Sequence, residues 1–425
     1  MKKLSILVSG ELYFVMFIFS GYIKGGFTFI PIDLTMLMLG ISVLIAMKRF
    51  LLKPVLQPSV VLAVSLLLIF ASYVSFTYIY SSSEAYALNK TFRFFLITGW
   101  SFMGVLLLVR DQAALKRMLD SFILLALFMT GFGLVSFLTS FHSGLYVGQI
   151  NVLGSDYLAL GRTCGIGAIM LIGLYLYNTS VDAKRKFISG ILTILIIICL
   201  IISGARMPLL ALLLTLGLLF VLSLRMKGRL ITLDKRLKSL GVMFLVLLVL
   251  AVPLASAGAF DTVIYRFSRL TEDPNGGKSA AGRIDRYATA IAMWSEHPVV
   301  GEGVGSFPIQ YNGLDTTGYP HNIFLEILSE TGIVGLILFL ALLLAALHRL
   351  FVDSIKLKIW LNSAHLCVLL GFTYMFMNAN VSGDLNENRV FFSFMALCFS
   401  LIEASGIDGG MNKGDYINVT KETLA

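Results

Sequence analysis

Apolar residues in this chain neither alternate nor recur at helical spacing over most of its length; they run on. Stretches near 4–23, 29–47, 59–80, 92–109, 119–140, 157–177, 187–204, 207–224, 240–259, 322–345, 358–379 and 389–405 are apolar all round. That is the pattern of helices facing lipid or other helices rather than water. Each run approaches the roughly 20 residues that cross a bilayer, so the pattern predicts twelve spanning helices. Most connections are short, with one exception at 260–321. The predicted division is therefore 1–259 with nine spans, 260–321 as one long outer loop, 322–405 with three spans, and 406–425 as a polar tail. No sequence repeat, heptad pattern or low-complexity tract interrupts the series.

Composition excludes the alternative of two or three soluble domains. Of 425 residues, 57% are hydrophobic and only 13% charged, against about 25% charged in soluble proteins. The four cysteines, Cys164, Cys199, Cys367 and Cys398, all lie inside apolar runs without metal-ligand spacing; they read as small core residues. Met1-Lys2-Lys3 ahead of an apolar run resembles a signal sequence. Glu11 interrupts that run and no small-x-small site follows, so it reads as a retained first span.

The net charge of +9 invites a nucleic-acid reading, but topology explains it. With the N-terminus inside, every predicted cytoplasmic connection is basic, among them Lys48-Arg49-Lys53, Lys184-Arg185-Lys186 and the stretch from Arg225 to Lys238. Basic loops stay in the cytoplasm, which places both termini there and needs no nucleic acid. The outer basic residues are Lys24, Lys90 and Lys278 with Arg93, Arg162, Arg206, Arg266, Arg269, Arg283, Arg286 and Arg389. Arginine dominates outside and lysine inside. A planar, permanently charged guanidinium suits bidentate binding of phosphate or carboxylate, so the outer face suits an anion. For Arg266, Arg269 and Arg286, ion pairing with Asp261, Glu272, Asp273, Asp285 and Glu296 is the plainer expectation.

Four segments are predicted to meet at the outer membrane level. Ile202-Ser203-Gly204-Ala205-Arg206-Met207-Pro208 leaves almost no room for a loop between two spans, and a cation there needs a partner or a wet cavity. Arg162 enters its span to a depth of roughly 8 Å at 1.5 Å per residue, where it either snorkels or faces a cavity; Asp156, just before it, is its candidate partner. In 282–294, Ile284, Tyr287, Ile291 and Trp294 form one apolar stripe with Arg283 and Arg286 off it, predicting a helix lying at the interface. The glycines of Gly301-Glu302-Gly303-Val304-Gly305 lack the strand-turn-helix context of a dinucleotide loop. Finally, in Tyr319-Pro320-His321-Asn322, Asn322 is a candidate helix cap, which holds His321 at the mouth of the tenth span. A lone histidine is usually structural; one near several arginines is a candidate general base. Glu326 and Glu330, one and two turns on, either orient it or bond to neighbours.

The run Gly282-Arg283, Trp294, Glu296-His297-Pro298, Gly301 to Phe307, Pro320-His321-Asn322, Leu325-Glu326, Glu330-Thr331-Gly332 and Gly335-Leu336 resembles the O-antigen ligase/polymerase family of bacterial polytopic membrane proteins. That family includes Wzy-type polymerases, lipid A-core O-antigen ligases and protein O-oligosaccharyltransferases. Ser203-Gly204-Ala205-Arg206 is similar to the family's Ser-Gly-Ser-Arg, with alanine at the second serine. The resemblance implies a metal-independent, inverting glycosyltransferase of GT-C-like architecture in the bacterial inner membrane, without a cofactor. It implies an undecaprenyl-pyrophosphate-linked glycan as donor on the periplasmic face, and a glycan or lipid A-core acceptor. A chain-length regulator is among the partners it implies. By that analogy Arg206 and Arg283 grip the pyrophosphate with Arg162 as a third contact, His321 serves as base, and Asn322 and Glu326 support it. Polymerisation of O-antigen repeats leads, with ligation to lipid A-core the rival. A transporter or flippase predicts paired ionisable residues near the midplane of matching halves, and only Glu11 fits that description.

Overall fold

Within lipid every backbone polar group must be satisfied inside its own segment, so uninterrupted apolar sequence folds as helix. A computed structural model describes residues 6–143, 149–227, 230–256, 278–357 and 362–404, with 264, 268 and 417–418 besides. Asp261, Arg266, Arg269, Glu272, Asp273 and most of the tail, named above, lie outside the described residues. The helices are α1 (Gly10–Ile23), α2 (Leu34–Leu52), α3 (Pro58–Tyr80), α4 (Ala85–Leu108), α5 (Gln112–His142), α6 (Tyr157–Leu176) and α7 (Ala183–Ile202). They continue as α8 (Arg206–Leu222), α9 (Lys238–Ser256), α10 (Lys278–Glu296), α11 (Phe307–Asn312), α12 (Ile323–Lys356), α13 (Ser363–Ala379) and α14 (Arg389–Ala404). A helix stands over each of the twelve apolar runs. Among the described residues, α2 to α7 and α12 are long and apolar enough to cross a bilayer, while α8, α13 and most of α14 are shorter apolar helices. This is an all-α membrane protein. A short antiparallel hairpin, Leu224–Lys227 with Leu230–Leu233, follows α8.

The chain divides into two compact units. The first comprises Met1–Met38, Lys116–Glu272 and Leu361–Asn378; the second comprises Leu39–Leu115, Asp273–Trp360 and Ala379–Ala425. In the first, Gly161 of α6 lies so close to the start of α8 that a Cβ there would meet the Ala205 Cβ at 2.4 Å. The Tyr374 phenol of α13 donates to the carbonyls of Gly161 and Arg162 at 3.3 and 3.4 Å. Glu11, the acid that interrupts the first span, is fully buried and pairs with Arg117 at 2.9 Å. The pair supplies the compensation that a buried carboxylate requires. All four cysteines are buried free thiols, as expected of core residues.

In the second unit, Phe70, Phe94, Phe339 and Phe392 close a ring of edge and tilted contacts at 5.6 to 6.5 Å, tying α3, α4, α12 and α14 together. Hydropathy predicts a start near 92 for the fourth span, but α4 begins at Ala85. The missing turns contain Lys90, which hydropathy excludes and which the fold buries completely. The stretch 298–305, which follows α10, docks against a break in α12. Gly332 has φ 64 and ψ −166 there, freeing backbone groups that the incoming segment satisfies. The amides of Glu302 and Gly303 donate to the Ser329 and Glu330 carbonyls, and those of Ile333 and Val334 to the Pro298 and Val299 carbonyls. Contact is too close for side chains: a Cβ on Gly301 would lie 2.4 Å from the Glu330 carbonyl carbon, and one on Gly303 2.4 Å from the Ser81 Cα. The glycine-rich run is thus a scaffold element.

Candidate functional site

Arg162 and Arg206 belong to the first unit, and Arg283, His321, Asn322 and Glu326 to the second. In the first, the tight turn read from the sequence is present. Gly204, at φ 75, turns the chain out of α7, and the Ser203 hydroxyl accepts the Ala205 amide at 3.2 Å. Arg206 is then the opening residue of α8. Because Gly161 packs on Ala205 and Pro208, the stretch carrying Arg162 and the stretch carrying Arg206 touch. Arg162 is buried and donates to the Tyr22 hydroxyl at 3.4 Å. Asp156, its expected neighbour, caps α6 by accepting the Ala159 amide at 2.8 Å. An apolar cavity of about 720 Å³ runs between α7, α8 and α9, lined by Ile201, Leu209, Leu212, Leu216, Phe220 and Phe244 among others. Its lining begins at Leu209, one turn along α8 from Arg206.

In the second unit, His321 sits at φ 66, a left-handed conformation that costs an L-residue about 1–2 kcal/mol. Such strain persists only where the surroundings fix it, and they do. Pro320 on one side is buried. Asn322 on the other caps α12, its Oδ1 accepting the Phe324 and Leu325 amides at 3.0 Å. Its Nδ2 donates to the Asn380 carbonyl at 3.1 Å. The Tyr319 ring meets the imidazole edge-on at 4.7 Å, and the Tyr319 hydroxyl donates to Glu387 at 3.3 Å. His321 is half-buried, with its Nδ1 enclosed by the protein.

Below it lies a charge cluster that the sequence did not announce. The Lys90 ammonium stands 2.6 Å from Glu326 Oε1 and 2.8 and 2.7 Å from the two Glu330 oxygens, and all three side chains are buried. Glu326 Oε1 also accepts the Leu385 amide at 3.1 Å. Asn386 donates to the Lys90 carbonyl and accepts from Thr98, each at 2.9 Å. Asp384 accepts from Tyr86 at 3.4 Å and from the Glu387 amide at 2.6 Å. Glu326 and Glu330 therefore both bond Lys90, and Glu326 bonds the 384–388 segment as well.

On α10, Ala290 and Met293 pack with Phe307, Tyr311 and Leu325, while Ile284 and Ile291 are exposed. Of the expected apolar stripe, the two isoleucines thus face outward, while Tyr287 and Trp294 are half-buried. Arg283 is half-buried and makes no hydrogen bond or ion pair among the described residues. Arg286 corrects the ion-pair expectation: its guanidinium lies over the Tyr311 ring at 4.9 Å and donates to the Gly282 carbonyl at 2.9 Å.

Residues 191–340, from α7 into α12, match the family model described as O-antigen ligase (Wzy_C). That stretch, about a third of the chain, is similar to the O-antigen ligase family. The match takes in Arg206, Arg283, His321, Asn322 and Glu326; Arg162, Lys90 and the 382–389 segment fall outside it. No curated protein matches the chain.

Outside the matched stretch, Lys90, Asp384, Asn386 and Asn388 are the residues the sequence did not announce. Lys90 reads as an outer-loop cation, and 382–389 as the connection between two spans. The usable signal was the density of Asp, Asn and Glu within Asp384-Leu385-Asn386-Glu387-Asn388. Ionisable and amide groups flanked by apolar runs mark buried polar networks in membrane proteins.

The loop ahead of His321 has an anchor of its own. Asp315 accepts from the Ser83 hydroxyl at 2.6 Å and from the Glu84, Ala85 and Tyr86 amides at 2.9 to 3.1 Å, closing the N-terminus of α4. The Ser83 hydrogen bond first, with the backbone amides, holds its carboxyl below the usual value. A carboxyl depressed on folding contributes stability above its unfolded value, about 3.9, and loses it as pH falls through the folded value. Asp315→Asn should therefore melt below wild type at pH 7, with the gap closing towards pH 3. Thermal unfolding in detergent across that range checks this; a gap independent of pH would contradict it.

Proposed function

We propose that this protein is a glycosyltransferase of the periplasmic face of the bacterial inner membrane, moving a glycan from undecaprenyl pyrophosphate to an acceptor hydroxyl. The observation that carries the reading is His321, strained and braced at the helix mouth inside the stretch similar to the O-antigen ligase family. In this reading twelve helices span the membrane in a GT-C-like arrangement, with both termini cytoplasmic.

His321 takes the proton of the acceptor hydroxyl as its oxygen bonds to the anomeric carbon of the donor sugar. The bond from that carbon to the pyrophosphate oxygen breaks, and the leaving group departs with the electron pair. Attack opposite the leaving group inverts the anomeric centre. Negative charge grows on the pyrophosphate, and preorganised cations stabilise charge of that kind without reorganising. Arg206, Arg283 and Arg162 take this role, so no metal is required. The apolar cavity beginning one turn from Arg206 suits the hydrocarbon tail of a lipid-linked donor.

Polymerisation of surface-polysaccharide repeats is the leading assignment, with undecaprenyl-linked repeats as both substrates. The ligase description of the matching domain favours a second, transfer to lipid A-core. Reconstitution with short lipid-linked repeats, without lipid A and with EDTA, separates them. Lengthening products mark a polymerase, and reaction only on addition of lipid A-core marks a ligase. Activity lost to EDTA and restored by Mg²⁺ would overturn the metal-free mechanism.

A further inference from the structure

The reading above gives His321 a role but leaves unexplained a fully buried lysine that the family match does not reach. Lys90 lies on α4 and is fully buried. Its ammonium contacts two carboxylates of one helix, Glu326 and Glu330, four residues apart. Those residues occupy the short helical block 323–331, bounded by the Asn322 cap at one end and by the Gly332 break at the other.

A block of about two turns, detached from the rest of α12 by a non-helical residue, has a position of its own to be set. The Ser329 and Glu330 carbonyls, which accept from the 302–303 backbone, and the Thr331 carbonyl, which accepts from Tyr73 at 3.3 Å, fix its lower end. Lys90 fixes its turn and height, because it grips one face at two successive levels. Glu326 passes the restraint on: the oxygen that meets Lys90 also accepts the Leu385 amide. From Leu385 the segment runs back to Asn380, which holds Asn322, and on to Glu387, which holds Tyr319. Tyr319 and Asn322 flank the pair Pro320 and strained His321.

We propose that Lys90 is a positioning residue for His321, clamping the 323–331 block and, through Glu326, the segment that braces the histidine loop. The inference rests on the functional reading above, yet its geometric content can be measured without turnover. A buried cluster built only for stability is often replaced by neutral side chains at little cost. A cluster built for position is not replaceable in that way.

The test uses the full-length protein with two variants, Lys90→Arg and the charge-free triple Lys90→Met/Glu326→Gln/Glu330→Met. Two readouts are taken: kcat and KM for a lipid-linked repeat, and the rate at which diethyl pyrocarbonate modifies His321, with exposed His297 as internal reference. Expected for both variants is a kcat lower by about 10²-fold, the cost of a misplacement near 1 Å, with KM changed less than about twofold. His321 modification should change several-fold relative to His297. In the triple variant these effects should persist although thermal stability is near wild type. Wild-type kcat with unchanged His321 reactivity in Lys90→Arg would overturn the proposal, and that variant decides alone if the triple one does not fold. Wild-type protein without transferase activity would sink the functional reading, and the modification rates would still decide the positioning role.

Discussion

His321→Ala is expected to lower glycan transfer by about 10²- to 10⁴-fold, the usual contribution of a positioned acid–base group, while the protein still reaches the membrane and melts near wild type. Stability should change little because the ring is half-buried and the braces belong to its neighbours. Asn322 caps α12, Tyr319 reaches Glu387, and Asn380 receives the Asn322 amide. Alanine keeps the backbone problem of a left-handed residue but removes the proton acceptor. Product ladders from cells, with purified-protein melting beside them, check both halves. Near-normal ladders would remove His321 from the chemistry.

The second large effect is expected at Arg206. Arg206→Lys keeps a positive charge at the first residue of α8 and should still lose about 10²- to 10³-fold in turnover, the scale seen when one transition-state donor is removed. Lysine is a point charge without the planar fork that meets two phosphate oxygens at once. The tight Gly204 turn and the contact of Gly161 with Ala205 fix the backbone there, so the backbone does not shift to bring the shorter lysine ammonium into the lost geometry. Steady-state turnover of a lipid-linked repeat measures this. Full activity in Arg206→Lys would reduce the residue to one that merely stretches to the membrane surface.

What was legible in the sequence follows from which interactions are local. Apolar runs announce helices because the period and length sit in consecutive residues, and each predicted run has its helix. The Asn322 cap and the Ser203-Gly204-Ala205-Arg206 turn were legible for the same reason, as was the place of Glu11 inside the first span. Its partner was not: Arg117 is more than a hundred positions away, and nothing local points to it. Lys90 failed differently. A hydropathy sum counts an ammonium as a reason to leave the membrane, but two carboxylates from a distant helix reverse that cost, so α4 begins earlier than predicted. The polar stretch 382–389 misled likewise, since Asp384, Asn386 and the Leu385 amide serve buried partners on α4 and α12 instead of water. Arg286 was expected to pair with an acid and instead stacks on Tyr311, because α11 brings an aromatic face within reach.

The central claim is that bond formation at His321 releases a lipid pyrophosphate. Its most direct test is the amount of free undecaprenyl pyrophosphate liberated by purified protein in vesicles carrying lipid-linked repeats, with the acceptor present. One molecule released for each glycosidic bond formed by wild type, and almost none by His321→Ala, is the predicted result. Repeats that cross the bilayer with their pyrophosphate link intact, or equal release by both proteins, would contradict it.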